Sequence, residues 1–316
     1  MKRRVVAALA AVFAVGLVAW LIVRDRDALG ALGDLDGLQV VWILLLQVAY
    51  LITESLRMQV VIERAAGVSL GPLDWFRIFA VGRVINLLIP QGGNAYRAIA
   101  LRETAGVPFT DFGGGIVAFL WLSVTLNLVV ASALIAWKPT PSTSTAALGS
   151  WQAMLGAALV VGVAPLLLNL VLRWINSDVA LIRGVRRVVE TAVAAVRDVG
   201  LLVRFFVVWL ATLAVVLVMY RLVLDAVGAD LGPGEIVALY TLVQVTAAVV
   251  LTPGNFGVQE LGFTGIAVLF GVPAAQGAAA AAIIRITGLV VLLALGLASG
   301  LTDIRTYVGT RRTPQP

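Results

Sequence analysis

Four ionisable side chains fall inside stretches otherwise apolar enough for hydrocarbon: Arg97, Arg221, Glu260 and Arg285. Each such group costs roughly 2.5 to 3.5 kcal/mol on membrane-insertion scales, so it calls for a partner or a purpose. An arginine at depth offers a planar forked donor that matches phosphate or carboxylate, and a glutamate can serve as its partner or carry a proton. Arg97 and Glu260 sit in two segments broken by Pro and Gly, LLIPQGGNAYR at 87–97 and VLTPGNFGVQE at 250–260. Arg285 lies twelve residues after Pro273, near the middle of its stretch, and plain structural pairing with Glu260 is the alternative to a functional role. Arg221, near the end of its stretch, is expected to snorkel to the headgroups. Glu54 and Arg57 are three residues apart and read as a local ion pair at the membrane interface.

The chain around these residues is 61% hydrophobic and 13% charged, against roughly 45 to 50% apolar and about 25% charged in soluble domains. There are too few polar residues to clothe a soluble surface, and a bilayer supplies the missing apolar environment. Neither cysteine nor histidine occurs. Disulfides, thiolate nucleophiles, Cys/His zinc sites and His-based triads are thereby excluded, and no metal or cofactor is expected. No G-x-x-x-x-G-K-[ST] loop brings an ATPase. The net charge of +6 fits retention of Lys and Arg on the cytoplasmic side of a membrane and calls for no nucleic-acid partner.

Six full transmembrane helices are expected, at about 5–23, 37–57, 112–137, 150–174, 202–224 and 274–300. The first ends in Arg24-Asp25-Arg26-Asp27 without a small-residue cleavage pattern, which favours a retained helix over a signal peptide. The broken regions 75–105 and 235–270 make eight hydrophobic segments in all, and each reads as a re-entrant helical hairpin. Proline removes a backbone donor and glycine loosens a helix, so irregular backbone is expected there, tolerable at depth only against protein or a water-filled cavity. With the amino terminus inside, 18 of the 23 Lys and Arg residues lie on the cytoplasmic side. That places a multi-pass protein in the plasma membrane with both termini cytoplasmic.

The broken regions share landmarks in the same order. Leu-Gly-Pro precedes each, ending at Pro72 and Pro233; the break prolines follow after 18 and 20 residues; Gly-Val-Pro follows 16 and 18 residues later. A charge stands seven residues after each break proline, Arg97 in one copy and Glu260 in the other. Three crossings lie between the copies, and an odd number inverts the second. The expected architecture is an all-α integral membrane protein, a single domain over 1–316 with inverted repeat halves at about 37–137 and 202–300. Inverted repeats place transport sites at their broken helices, where the two oppositely oriented hairpins would meet near the midplane; a duplication retained for packing is the alternative. Backbone N–H groups freed at Pro90-Gln91-Gly92-Gly93 and Pro253-Gly254-Asn255 would then serve as anion donors.

Residues 179–199 read as an amphipathic surface helix. Arg183, Arg186, Arg187, Glu190 and Arg197 fall in an arc of about 100° opposite Leu181, Ile182, Val185, Val188, Val189, Ala192 and Val196. Such a helix is expected to lie on the inner leaflet, its basic face toward anionic phospholipid. The Gly113–Gly115 triplet and the Gly296–Gly300 G-x-x-x-G read as helix-packing sites.

GRVINLLIPQGGNAYRAIALRETAGVP, and TPGNFGVQELGF followed by Gly271-Val272-Pro273 and Arg285, resemble the two conserved blocks of the lysylphosphatidylglycerol synthase transmembrane-domain family of flippase-like membrane proteins. The resemblance covers nearly the whole chain. It implies functional positions at Gly82, Asn86, Pro90, Gly93 and Arg97, and at Pro253, Gly254, Gly257, Glu260 and Arg285; Asn94 and Asn255 complete the candidate site. Asn94 stands where the family has an acidic residue, and Phe119-Leu120 where it often has Glu-Arg. The implied function is movement of a polar or anionic lipid headgroup between leaflets, of the aminoacylated phosphatidylglycerol or lipid-linked sugar class. The chain ends about 16 residues after its last span, with no fused synthase domain. A non-enzyme is therefore expected, with a lipid-modifying enzyme encoded separately as a partner. The alternative is a non-transporting scaffold for such an enzyme or for a glycosyltransferase.

Overall fold

The computed structural model describes residues 35–137, 151–175, 179–248 and 252–310. The expected span at 5–23 and the polar linker at 138–150 lie outside the described residues. Within them the chain is entirely helical. In order, the helices are α1 (Gly37–Ala66), α2 (Pro72–Leu88), α3 (Gly92–Ala105), α4 (Phe109–Trp137), α5 (Trp151–Trp174), α6 (Ala180–Val196), α7 (Val199–Ala226), α8 (Pro233–Ala247), α9 (Val258–Leu269) and α10 (Ala274–Thr310).

Five of these, α1, α4, α5, α7 and α10, are long and apolar enough to cross a membrane, at the five remaining expected positions. Together with the composition they make this a multi-pass membrane protein. At 1.5 Å per residue, α2, α3, α8 and α9 measure only about 25, 21, 22 and 18 Å, short of the roughly 30 Å of hydrocarbon.

Local chemistry sets the ends. Asp36 and Gln39 form a reciprocal capping box at the start of α1, with the Asp36 carboxylate accepting from the Gln39 N–H at 2.7 Å. Pro72 and Pro233 open α2 and α8 at the first turn, where a missing N–H does no harm. Gly106 and Gly271, at φ of 68° and 89°, follow α3 and α9 in the left-handed region that glycine adopts readily. Each broken segment thus runs through the same series of local structures, and its two helices pack on each other.

The apolar interior gathers around the broken pairs. One cluster holds Tyr220, Leu224, Leu239, Tyr240, Phe263 and Ala267 beside α8 and α9. Another holds Trp75, Phe79, Leu87 and Leu101 beside α2 and α3. Helices α1 and α10 run through both, contributing Ile43 and Ile283 to the first and Met58, Ile62 and Leu289 to the second. Polar ties fix the register: Gln47 of α1 donates to the Ile284 carbonyl of α10 at 2.9 Å, and the buried Trp75 indole to the Ser55 carbonyl at 2.7 Å.

Helix α6 packs part of its expected apolar face on protein: Ala192, with the neighbouring Ala195, joins Val61 of α1, Ala118 of α4 and Leu201 and Phe205 of α7 in a buried cluster, while Val185 stays exposed. The cause is the glycine triplet of α4, which admits α6 at close range. A β-carbon on Gly114 would stand 2.6 Å from the Thr191 Cβ and 2.9 Å from the Val188 carbonyl. Arg183, Arg187 and Arg197 remain exposed, as does Glu190. At the following turn Arg64 pairs with Asp198, the cap of α7, and this hydrogen bond holds the carboxyl below the ordinary carboxylate range. Gly114→Ala is expected to destabilise the protein by about 1 to 3 kcal/mol through overpacking, read as a lower thermal midpoint in detergent.

Candidate functional site

Pro90 ends α2 because it has no N–H to give the next turn. Gln91 then takes a left-handed φ of 61°, and α3 starts at Gly92 in a new direction. The Asn86 side-chain Oδ1 accepts the Gly93 N–H at 2.7 Å, clamping the end of α2 to the start of α3. The helices approach so closely here that a β-carbon on Gly93 would lie 1.8 Å from the Gly82 carbonyl oxygen. Only glycine fits. That approach delivers Arg97, 3% exposed, against α2: it donates to the Phe79 carbonyl at 3.1 Å and to the Asn94 side chain at 2.8 Å, and its guanidinium lies 4.8 Å from the Phe79 ring centre. Its Nε has no hydrogen-bond partner, and no carboxylate among the described residues pairs with it.

Pro253 opens a 3-10 turn over Pro253–Asn255 in which Gly254 and Asn255 both have φ of 58°, and Gly257 follows at 80°. Helix α9 then begins, with the Glu260 carboxylate accepting the Gly257 N–H at 2.8 Å. The other Glu260 oxygen lies 3.1 Å from Arg285 Nε in an ion pair between α9 and α10. Arg285 also donates to Gln259 at 3.0 Å and to the Gly254 carbonyl, and it lies 4.0 Å from the Phe256 ring centre. The second break is thus tied to α10 by one guanidinium. It also lies against the first break, since Leu87 of α2 is in contact range of Gly254.

The breaks open onto one cavity of about 400 Å³. Asn86, Asn94 and Arg97 line it from the first segment, and Gly254, Asn255, Glu260 and Arg285 from the second and from α10. Pro90, Gly93, Pro253 and Gly257 shape the breaks. The expected free N–H donors at the breaks are not found where backbone partners are recorded. The N–H groups of Gly92, Gly93 and Asn255 are taken by the Ile89 carbonyl, Asn86 and the Thr252 carbonyl. These three N–H groups are thus engaged within the turns themselves.

Sequence reasoning placed Glu54 and Arg57 at the interface, and the structure places them inside. Helix α1 continues to Ala66, so the pair is well within it, 7% and 2% exposed, with Arg57 Nη2 2.6 Å from the Glu54 carboxylate. Phe119 and Phe205 flank the guanidinium at 5.3 and 5.7 Å. Both residues line the cavity, as do Tyr50 and Gln244. Arg83, not singled out in the sequence, sits on α2 and lines the same space. Its one sequence signal is helical spacing, four residues after Phe79 and three before Asn86. Arg221 pairs with Asp225 at 3.0 Å and Asp230 at 3.1 Å, half-exposed at the end of α7 and away from the cavity.

A pocket of this size with arginines, amides and two ion-paired carboxylates on its wall can hold an anionic headgroup by forked hydrogen bonds. No curated protein matches the chain. Residues 5–296 match the family described as the lysylphosphatidylglycerol synthase TM region. That match takes in both breaks, α10 as far as Gly296 and every residue of the cavity wall, and the chain belongs to the lysylphosphatidylglycerol synthase TM-region family.

Proposed function

We propose that this protein is a flippase-like transporter, without enzymatic activity of its own, that moves a polar or anionic lipid headgroup between leaflets. The observation that carries this reading is the convergence of Arg97 and Arg285, from different segments, on one cavity beside two helix breaks. A headgroup cannot enter hydrocarbon unaided, and hydrogen-bonding groups along a protein wall replace its lost water. The headgroup class is aminoacylated phosphatidylglycerol or a lipid-linked sugar, and the lipid-modifying enzyme acts as a separate partner.

In this reading α2–α3 and α8–α9 are re-entrant hairpins of an inverted repeat, entering from opposite sides, with their breaks at the midplane. Their shortness and shared local order support it. The protein sits in the plasma membrane with both termini in the cytoplasm. Single-cysteine variants on this cysteine-free chain are expected to label from outside at Ser142 and Asp230, and only after permeabilisation at Ser177 and Thr313. Outside labelling of Ser177 in intact cells would remove the inversion.

Mass spectrometry of lipids that co-purify in mild detergent tests occupancy of the site. An anionic lipid should be enriched over bulk membrane in the wild type, and that enrichment should be lost in Arg97→Ala. A bulk-like lipid profile in both would favour a scaffold.

A further inference from the structure

We propose that the occupant of this cavity is a lipid headgroup bearing two negative charges, a phosphomonoester or a diphosphate, selected by Arg83 together with Arg97. The inference rests on the transporter reading and narrows its substrate class toward phosphate-linked carriers, away from cationic aminoacylated headgroups.

Four guanidinium groups line the cavity, Arg57, Arg83, Arg97 and Arg285, against two carboxylates, Glu54 and Glu260. The carboxylates are committed: Glu54 to Arg57 at 2.6 Å and Glu260 to Arg285 at 3.1 Å. No carboxylate among the described residues pairs with Arg83 or Arg97. Two positive charges, the buried Arg97 and the partly buried Arg83, therefore line the cavity without a paired carboxylate, and charge that is partly buried is screened less than at a fully wet surface.

Arg83 is positioned for this role. It lies one turn after Phe79, 5.9 Å from that ring centre, while Arg97 lies 4.8 Å from the same centre. Two like charges are thus held around one aromatic ring, an arrangement that an anion between them relieves. Neutral amides complete the wall, with Asn86, Gln91 and Asn94 beside the first break and Gln259 beside the second. A phosphodiester brings one negative charge, and a phosphomonoester about 1.5 to 2 near neutral pH. A headgroup that adds a free ammonium meets Arg83 with the wrong sign.

The test uses the purified full-length chain and three dioctanoyl lipids that differ only in headgroup: phosphatidic acid, phosphatidylglycerol and phosphatidylcholine. At about pH 8.5, where the second phosphate proton is gone, phosphatidic acid is expected to bind about tenfold more tightly than phosphatidylglycerol, and phosphatidylcholine more weakly than either. At about pH 5.5 the first gap should close to about twofold. Arg83→Gln should close it at the higher pH as well by weakening phosphatidic acid more than phosphatidylglycerol, whereas Arg83→Lys keeps the charge and should keep the gap.

Equal binding of phosphatidic acid and phosphatidylglycerol by the wild type overturns the inference without recourse to any variant. If Arg97→Ala still weakens both lipids in that case, the transporter site stands without it. If Arg97→Ala weakens neither, the site itself fails. A preserved gap in folded Arg83→Gln removes Arg83 from the selection. Inorganic phosphate is the arm without acyl chains, and displacement of phosphatidic acid by it at equal concentration would show a free-anion site in place of a lipid site.

Discussion

Glu54→Ala is expected to destabilise the protein by about 3 to 5 kcal/mol, because it leaves the Arg57 guanidinium buried without its carboxylate. Arg57 is 2% exposed, its Nε and Nη1 have no hydrogen-bond partner, and the Phe119 and Phe205 rings close its flanks. It sits nine residues before the end of α1, within the helix. The loss should be seen as a lower thermal midpoint and a lower yield of monodisperse protein. Replacing both partners with apolar residues, Glu54→Leu with Arg57→Met, should recover most of it, since a buried pair replaced as a unit is often neutral or stabilising. A Glu54→Ala variant as stable as the wild type would contradict the buried position assigned to the pair.

Arg285→Lys is expected to lower lipid movement by about 10- to 100-fold while the protein still folds. Arg285 spreads its fork over Gln259, the Gly254 carbonyl and Glu260. Lysine keeps the charge and the Glu260 pairing but cannot hold the break and a ligand at once. Losing one charge-assisted hydrogen bond, about 1.5 to 3 kcal/mol, corresponds to that range. Arg221→Lys is the matched control. Its partners Asp225 and Asp230 suit an ammonium equally well at a half-exposed position, and transport should stay near wild type. Equal losses in the two variants would show that the fork at Arg285 has no special role.

The five described spans were legible because a run of apolar residues of bilayer length has few other uses, and the breaks because Pro and Gly interrupt it. The extent of α1 was not. The residues after Arg57 include Glu63 and Arg64, so the apolar signal stops, yet the helix continues because Met58, Val61 and Ile62 are buried against other helices. The ion pair moved inside with it. Its cover comes from Phe119 and Phe205 on α4 and α7, and a contact between distant helices leaves no periodic trace in one sequence.

The candidate site divides in the same way. The pairing of Glu260 with Arg285 was legible from two charges in apolar runs, and the structure adds that Glu260 also caps α9. Glu260→Gln can keep that cap, and Arg285 keeps Gln259 and the Gly254 carbonyl. The variant should therefore fold, which separates a transport role from simple neutralisation. Three of the expected backbone donors at the breaks, on Gly92, Gly93 and Asn255, are taken up by local partners, Asn86 among them, and turn closure of this kind is not visible in the sequence. Asn94, where the family has an acidic residue, serves as the neutral acceptor for Arg97 and leaves that arginine's charge uncompensated.

The central claim is that the two breaks and Arg285 form one site through which a headgroup passes. Outer-leaflet labelling of the co-purifying lipid in cells carrying Arg97→Ala, Arg285→Lys or Glu260→Gln, with thermal stability recorded on the same variants, tests it most directly. The account predicts folded, inserted proteins with lipid exposure reduced in all three. Stable variants with undiminished exposure in all three would contradict it and make the membrane scaffold the better account.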